Sequence, residues 1–115
     1  MFFDSKQFQV MTGSLQALSM QQQAILHNLA NLETPGYKSK SVSFVDVLAQ
    51  EKSQYDMKAV ITTDTNTSIR PDGNNVDADV ESMKLYENYV TQLAMYLKIS
   101  GQLTNFRYVM NQFTR

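Results

Sequence analysis

Apolar residues recur along the first third of the chain at Phe8, Met11, Leu15, Leu18, Ile25, Leu29 and Leu32, with Gln22 holding the one polar place in the series. The steps alternate between three and four residues. That is the a/d spacing of a helix seated along a partner helix. Gln, Ser, Thr, Asn and Ala fill the positions between. From Lys6 to Leu32 only Lys6 carries a formal charge. A solvated helix face normally carries Lys and Glu, so this amide- and hydroxyl-rich surface is unusual. Asp4 and Gln7 have the spacing of a capping box, which predicts a helix over about residues 5–33. At about 1.5 Å per residue it is on the order of 40 Å long.

The pattern returns near the other end. Leu85, Tyr89, Gln92, Tyr96, Ile99, Leu103, Phe106, Met110 and Phe113 follow the same alternation, again with one polar place. Asp77, Asp79 and Glu81 precede them, where acids complement a helix N-terminus. The spacing predicts a helix over about residues 77–113. Met83, Tyr86, Val90, Leu93 and Leu97 form a second apolar row beside the first. The helix is thus apolar over a wider arc than one antiparallel partner covers. Gly101 weakens it locally by about 1 kcal/mol relative to Ala.

Between the helices the pattern is weaker. Residues 42–52 read as a short helix after a Ser43 cap, with a strand at Val42–Val47 as the alternative. Ala59–Thr63 and Thr67–Ile69 read as two arms of a hairpin, and Pro71-Asp72-Gly73 marks a turn. The expected fold is mainly α. Long N- and C-terminal helices pack as an antiparallel, coiled-coil-like hairpin around a short irregular or β-containing middle at residues 34–75. A chain of 115 residues makes one domain, 1–115, the default. Burying each large stripe side chain gains roughly 1.5–3 kcal/mol. Ordering each residue costs on the order of 1–2 kcal/mol in backbone entropy. A two-helix hairpin with a polar middle is therefore marginal alone. Either residues 42–52 close a three-helix bundle, or neighbouring copies bury the surplus apolar arcs.

Composition narrows the function. Ten basic against eleven acidic residues give a net charge of −1, so nothing favours nucleic acid or an anionic membrane. There is no cysteine, which excludes disulfides and thiol chemistry. No apolar run approaches the roughly 18 residues of a membrane span. The opening "MFFDSKQFQV" lacks the basic and apolar regions of a cleavable signal peptide.

Candidate chemistry is sparse. His27 is the only histidine, and no carboxylate stands three or four residues away to share a metal with it, so it reads as a polar helix residue. "DGNNVDADVESM" has its glycine second and methionine last, against the sixth and twelfth positions of a calcium loop. Its acids read as helix-start residues. The Tyr and Met rows read as packing surface. No catalytic set, cofactor or metal is expected.

The distinctive stretch is "HNLANLETPGYKSK", His27 to Lys40. Pro35 disfavours α conformation at Thr34 and ends the helix. Pro35 and Gly36 suit the centre of a type II turn, because glycine accepts the positive φ required there. Asn28 and Asn31 lie three apart on the last helical turn, where their amides can bond free carbonyls of their own chain or a neighbour's.

Asn28, Leu29, Ala30, Asn31, Thr34, Pro35, Gly36 and Tyr37 together resemble the N-terminal signature of the bacterial flagellar axial proteins, the rod and hook family. A second stretch, "PDGNNVDADVESMKLYEN", is similar to the segment leading into the C-terminal helix of the proximal rod branch. It matches at Asp72, Gly73, Asn74, Asn75, Val76, Asp77, Glu81, Lys84, Leu85, Glu87 and Asn88. The two anchored helices span about two-thirds of the chain. Ser82 stands where that branch usually has Met, Gln92 where Tyr is common, and the middle lacks a histidine common there.

The resemblance implies a structural subunit of the basal-body rod, exported through the flagellar type III apparatus without signal cleavage and resident in the periplasmic space. Implied partners are copies of itself, other rod subunits, the membrane-ring and export-gate adaptor at the rod base, and the export apparatus. Nucleic acid, small-molecule substrate and direct membrane insertion are not implied. Phe8, Met11, Leu15, Leu18, Ile25, Leu29, Leu85, Tyr89, Tyr96, Ile99, Leu103, Phe106 and Met110 are the expected packing or subunit-interface residues. The other reading of the same amphipathic helices is a small adaptor or export chaperone.

Overall fold

A computed structural model describes residues 6–48, 55–65 and 70–114. In chain order they form helix α1 (Lys6–Ala30), strand β1 (Lys40–Leu48), strand β2 (Tyr55–Thr63) and helix α2 (Ala78–Phe113). The heptad stripes correspond to α1 and α2. The predicted cap at Asp4 lies outside the described residues. α1 ends at Ala30, and residues 31–33 form turns rather than continuing the helix. α2 is capped by Asp77, whose Oδ1 accepts from the backbone N–H groups of Asp79 (3.0 Å) and Val80 (3.4 Å).

The middle differs from expectation. Residues 40–48 are extended, not helical, so the strand alternative at Val42–Val47 is the one adopted. Ala59–Thr63 does lie in a strand, but it pairs with β1, antiparallel from Lys40 opposite Thr63 to Leu48 opposite Tyr55. The once-expected arm at Thr67–Ile69 lies outside the described residues. The reason is physical. Phe44 and Leu48 satisfy a helical step of four, but Val42, Val45 and Val47 are stiff at χ1 and favour a pleated backbone. A partner strand of matching length then decides the matter.

α1 lies centrally, with α2 along one side and the hairpin against another. Met11, Leu18 and Ile25 of its predicted stripe are buried, with Ala17 and Ala24 beside them and Val42 of β1. Phe8, Leu15 and Leu29 are half-buried.

The face that α2 turns inward is shifted from the predicted one. Glu81 and Asn88 are buried, and Leu85, Gln92, Met95, Ile99, Gln102 and Leu103 are half-buried. Tyr89 and Tyr96 point away, 62% and 57% exposed. The two rows share Leu85, Gln92, Ile99 and Leu103, so periodicity fits both. Hydrogen bonding chooses between them. Asn88 donates to the Leu18 carbonyl (3.0 Å) and to Gln21 Oε1 (2.9 Å), and accepts from Gln92 Nε2 (2.8 Å). Gln92 Nε2 also lies 3.2 Å from Gln22 Oε1, so the polar places of the two stripes meet. A polar pair at such a place fixes register between helices.

The molecule measures 69 × 33 × 14 Å. Its least dimension is little more than one helix diameter, so the elements lie side by side in one layer. α2, with 36 residues against 25, outruns α1. Every residue from Thr104 to Thr114 is exposed, including Phe106, Met110 and Phe113.

Candidate functional site: a joint made by two loops

The Thr-Pro-Gly-Tyr stretch forms the predicted kind of turn. Tyr37 N donates to Thr34 O at 3.3 Å, and Gly36 has φ +73°. A second turn follows Arg70, where Gly73 N donates to Arg70 O at 3.0 Å and Gly73 has φ +86°. The turns face each other. Gly36 N donates to Asp72 O at 2.9 Å, and a Cβ placed on Gly73 would stand 3.6 Å from the Gly36 Cα. The two stretches are therefore halves of one joint.

Asn74 closes it. An α-helix ends with carbonyls that have no partner in the helix. The Asn74 side-chain amide, fully buried, donates to the carbonyls of Asn31 (3.0 Å), Leu32 (3.1 Å) and Thr34 (2.9 Å). Its Oδ1 accepts from Val76 N at 2.8 Å, and Val76 is buried behind it. Arg70 adds a hydrogen bond to Leu32 O. Asn75 reaches the other way. Its Oδ1 accepts from Ser39 N (2.6 Å) and its Nδ2 donates to Asp64 O (3.1 Å), tying the joint to both strands at the open end of the hairpin. Lys38 Nζ donates to Gly73 O at 2.6 Å.

Asn28 joins all three parts. It is 1% exposed. Its Nδ2 donates to Lys40 O (2.8 Å) and Glu81 Oε2 (3.1 Å), and its Oδ1 accepts from Lys40 N (2.9 Å) and the Tyr37 hydroxyl (3.0 Å). One side chain thus bonds α1 to β1, to the turn and to α2. The Glu81 carboxylate, 3% exposed, also takes Lys84 Nζ at 3.0 Å. A buried carboxylate needs such partners. Burial, and then the Glu81 charge, push the Tyr37 phenol above its ordinary pKa of 10.0. Asn31 acts locally, its Nδ2 donating to His27 O at 2.8 Å and its Oδ1 accepting from Thr34 Oγ1 at 3.1 Å. Both motif asparagines therefore bond within their own chain.

Ala30 and Pro35 are exposed and contribute backbone geometry only. His27, Lys38, Lys40 and Arg70 belong to the joint although no motif argument pointed to them. His27 Nδ1 lies 2.7 Å from the Tyr37 hydroxyl. Such a contact depends on how the turn folds back and has no spacing signal in the sequence.

The hydrogen bonds of this arrangement go mostly to backbone groups. Among the described residues no group of His, Asp and Glu could hold a metal. The cleft between α1 and the hairpin, lined by Met20, Gln23, Ala24, His27, Lys40 and Ile61, is about 180 Å³. Ligand pockets start near 300 Å³. No buried side-chain polar atom in the described residues lacks a partner, and no described helix is long and apolar enough to cross a membrane.

No family model matches the chain. Individual proteins do. The flagellar basal body rod protein FlgB of Bacillus subtilis (strain 168) is 32% identical over 119 aligned positions, covering 89% of this chain and 91% of the relative. The chain belongs to the FlgB family. FlgB of Proteus mirabilis is 24% identical over 130 positions, covering 91% and 94%. Each alignment covers about nine-tenths of the chain, so the joint, in its middle, belongs to the part that is FlgB-like.

Proposed function

We propose that this FlgB-family chain is a structural, non-catalytic subunit of the bacterial flagellar basal-body rod. It assembles through its terminal helices into the proximal part of the tube that carries motor torque. It reaches the periplasmic space unfolded through the type III apparatus, without signal cleavage. Its neighbours are copies of itself, other rod subunits and the adaptor at the rod base. The observation that carries this reading is a contrast within one molecule. The joint satisfies its polar groups internally, whereas Tyr86, Tyr89, Leu93, Tyr96 and Leu97 leave an apolar face of α2 exposed. An exposed patch of this kind marks an interaction surface.

Swimming tests the role of the joint. Gly36→Val, at φ +73°, and Asn31→Ala should impair motility while the protein is still made. Normal swimming from both variants would make the motif dispensable and defeat the reading. Fractionation separates it from the adaptor reading, since a rod subunit is recovered in purified basal bodies and an adaptor only in cytosol.

A further inference from the structure

Charge is unevenly placed along the molecule. Apart from Asp4, every acidic residue falls between Glu33 and Glu87. After Glu87 the sequence holds Lys98, Arg107 and Arg115 and no acid at all. The joint end of α2 carries Asp77, Asp79, Glu81 and Glu87 against Lys84, and Lys84 is engaged by Glu81. The described part of the far end carries Lys98 and Arg107, neither of which makes an ion pair among the described residues. The two ends are thus of opposite sign and are separated along the 69 Å axis.

Shape and polarity of surface follow the same axis. Beyond Leu103 the helix is exposed all round. A helical end of about ten residues has no stability of its own in water. Its Phe106, Met110 and Phe113 lie at steps of four and three and make one apolar row, with Arg107 beside it. At the joint end, Asp79, Met83, Tyr86 and Glu87 lie at steps of four, three and one on a single face, and all four are exposed. One surface is apolar and basic, the other apolar and acidic.

The geometry points to a head-to-tail contact between copies: the α2 tip (Phe106, Arg107, Met110, Phe113) seats on the face formed by Asp79, Met83, Tyr86 and Glu87 of a second copy. The inference deepens the self-assembly reading above and rests on it, adding which surface meets which. The contact is heterologous, so each copy keeps one unused tip and one unused face, and association continues as an open series. Opposite charges steer the encounter and set its direction, and the apolar rows supply the burial.

The test uses the full chain and sedimentation across concentration. The wild-type chain should self-associate, more weakly as salt rises from about 50 mM to about 500 mM because exposed charges are screened. Arg107→Glu and Glu87→Lys should each weaken association roughly tenfold. The double variant carrying both reversals should recover most of the loss. Mixing the two single variants should restore an open series of alternating copies, since each variant's tip matches the other's face. Circular dichroism of each variant checks that helicity is retained, and Asp79→Lys provides a second reversal at the acidic face, expected to weaken association as Glu87→Lys does. Three results overturn the proposal. One is association indifferent to both reversals while Leu93→Asp abolishes it, which would mean side-by-side packing and leave the rod reading standing. Another is loss in the double variant equal to the sum of the singles. The third is a wild-type chain that stays monomeric at low salt up to about 1 mM. Recovery of the reversed variants in basal bodies judges the rod reading separately.

Discussion

The first turns of α2 and its last turns are parts of one helix under different constraints. At the start, Asp77 caps the backbone, Glu81 is buried against Asn28 and Lys84, and Asn88 is bonded to α1. At the end, Thr104–Thr114 stand in solvent with Phe113 81% exposed. The start is polar and internally satisfied. The end is largely apolar and exposed. Polar burial gives geometry at modest net stability, because each bond replaces one to water. Apolar exposure leaves surface that gains free energy only when something covers it. The joint thus fixes the shape of a single chain, and the tip holds association energy in reserve.

Substitutions sharpen the contrast. The largest effect should come from Asn28→Ala, which strips the Glu81 carboxylate and the Lys40 backbone of a buried partner. We expect a loss of about 3–4 kcal/mol in urea unfolding. Asn74→Ala should follow at about 2–3 kcal/mol, because three helix-end carbonyls lose their donor. Gly36→Ala should cost about 1 kcal/mol. There is open space for the methyl, so the cost is the left-handed backbone at φ +73°.

A pH profile isolates a smaller term. The Tyr37 phenol titrates higher in the folded chain than in the unfolded one, so the fold favours its protonated form. Its contribution to stability is complete below the unfolded value near 10 and is lost as pH rises through the folded value. Tyr37→Phe should remove that part of the alkaline fall. Smallest of all, Phe113→Ser should change the stability of the monomer by no more than about 0.5 kcal/mol. A large loss there would mean that the tip packs against its own chain, and the contrast between the two ends would fail.

The sequence made the two helices plain because their side chains repeat at helical steps. It was less informative wherever a distant partner decides. Residues 42–48 suit helix or strand by local pattern, and only the pairing with Tyr55–Thr63 selects the strand. Tyr89 outranks Asn88 on hydrophobicity, yet Asn88 is 3% exposed because Leu18 O and Gln21 lie opposite it. The joint was legible as two separate motifs. Nothing in either stretch announces that Asn74 of one caps the carbonyls of the other, since a side-chain amide has no periodicity to betray its acceptor.

The reach of that amide has a consequence in time. Asn74 finds its acceptors 40 to 43 residues earlier in the chain, Glu81 finds Asn28 at a separation of 53, and Asn88 finds Leu18 at 70. A polypeptide that emerges N-terminus first, from a ribosome or any narrow channel, therefore delivers all of α1 long before anything can finish it. Until residues 70–88 arrive, the end of α1 lacks its donors and Asn28 lacks its carboxylate, and closing so long a loop costs entropy that only the completed joint offsets. A fragment ending near residue 70 should show little helix, and adding the next twenty residues should restore more of it than their own number. The latch is written late in the chain, so a chain emerging N-terminus first can lock only after most of it is out.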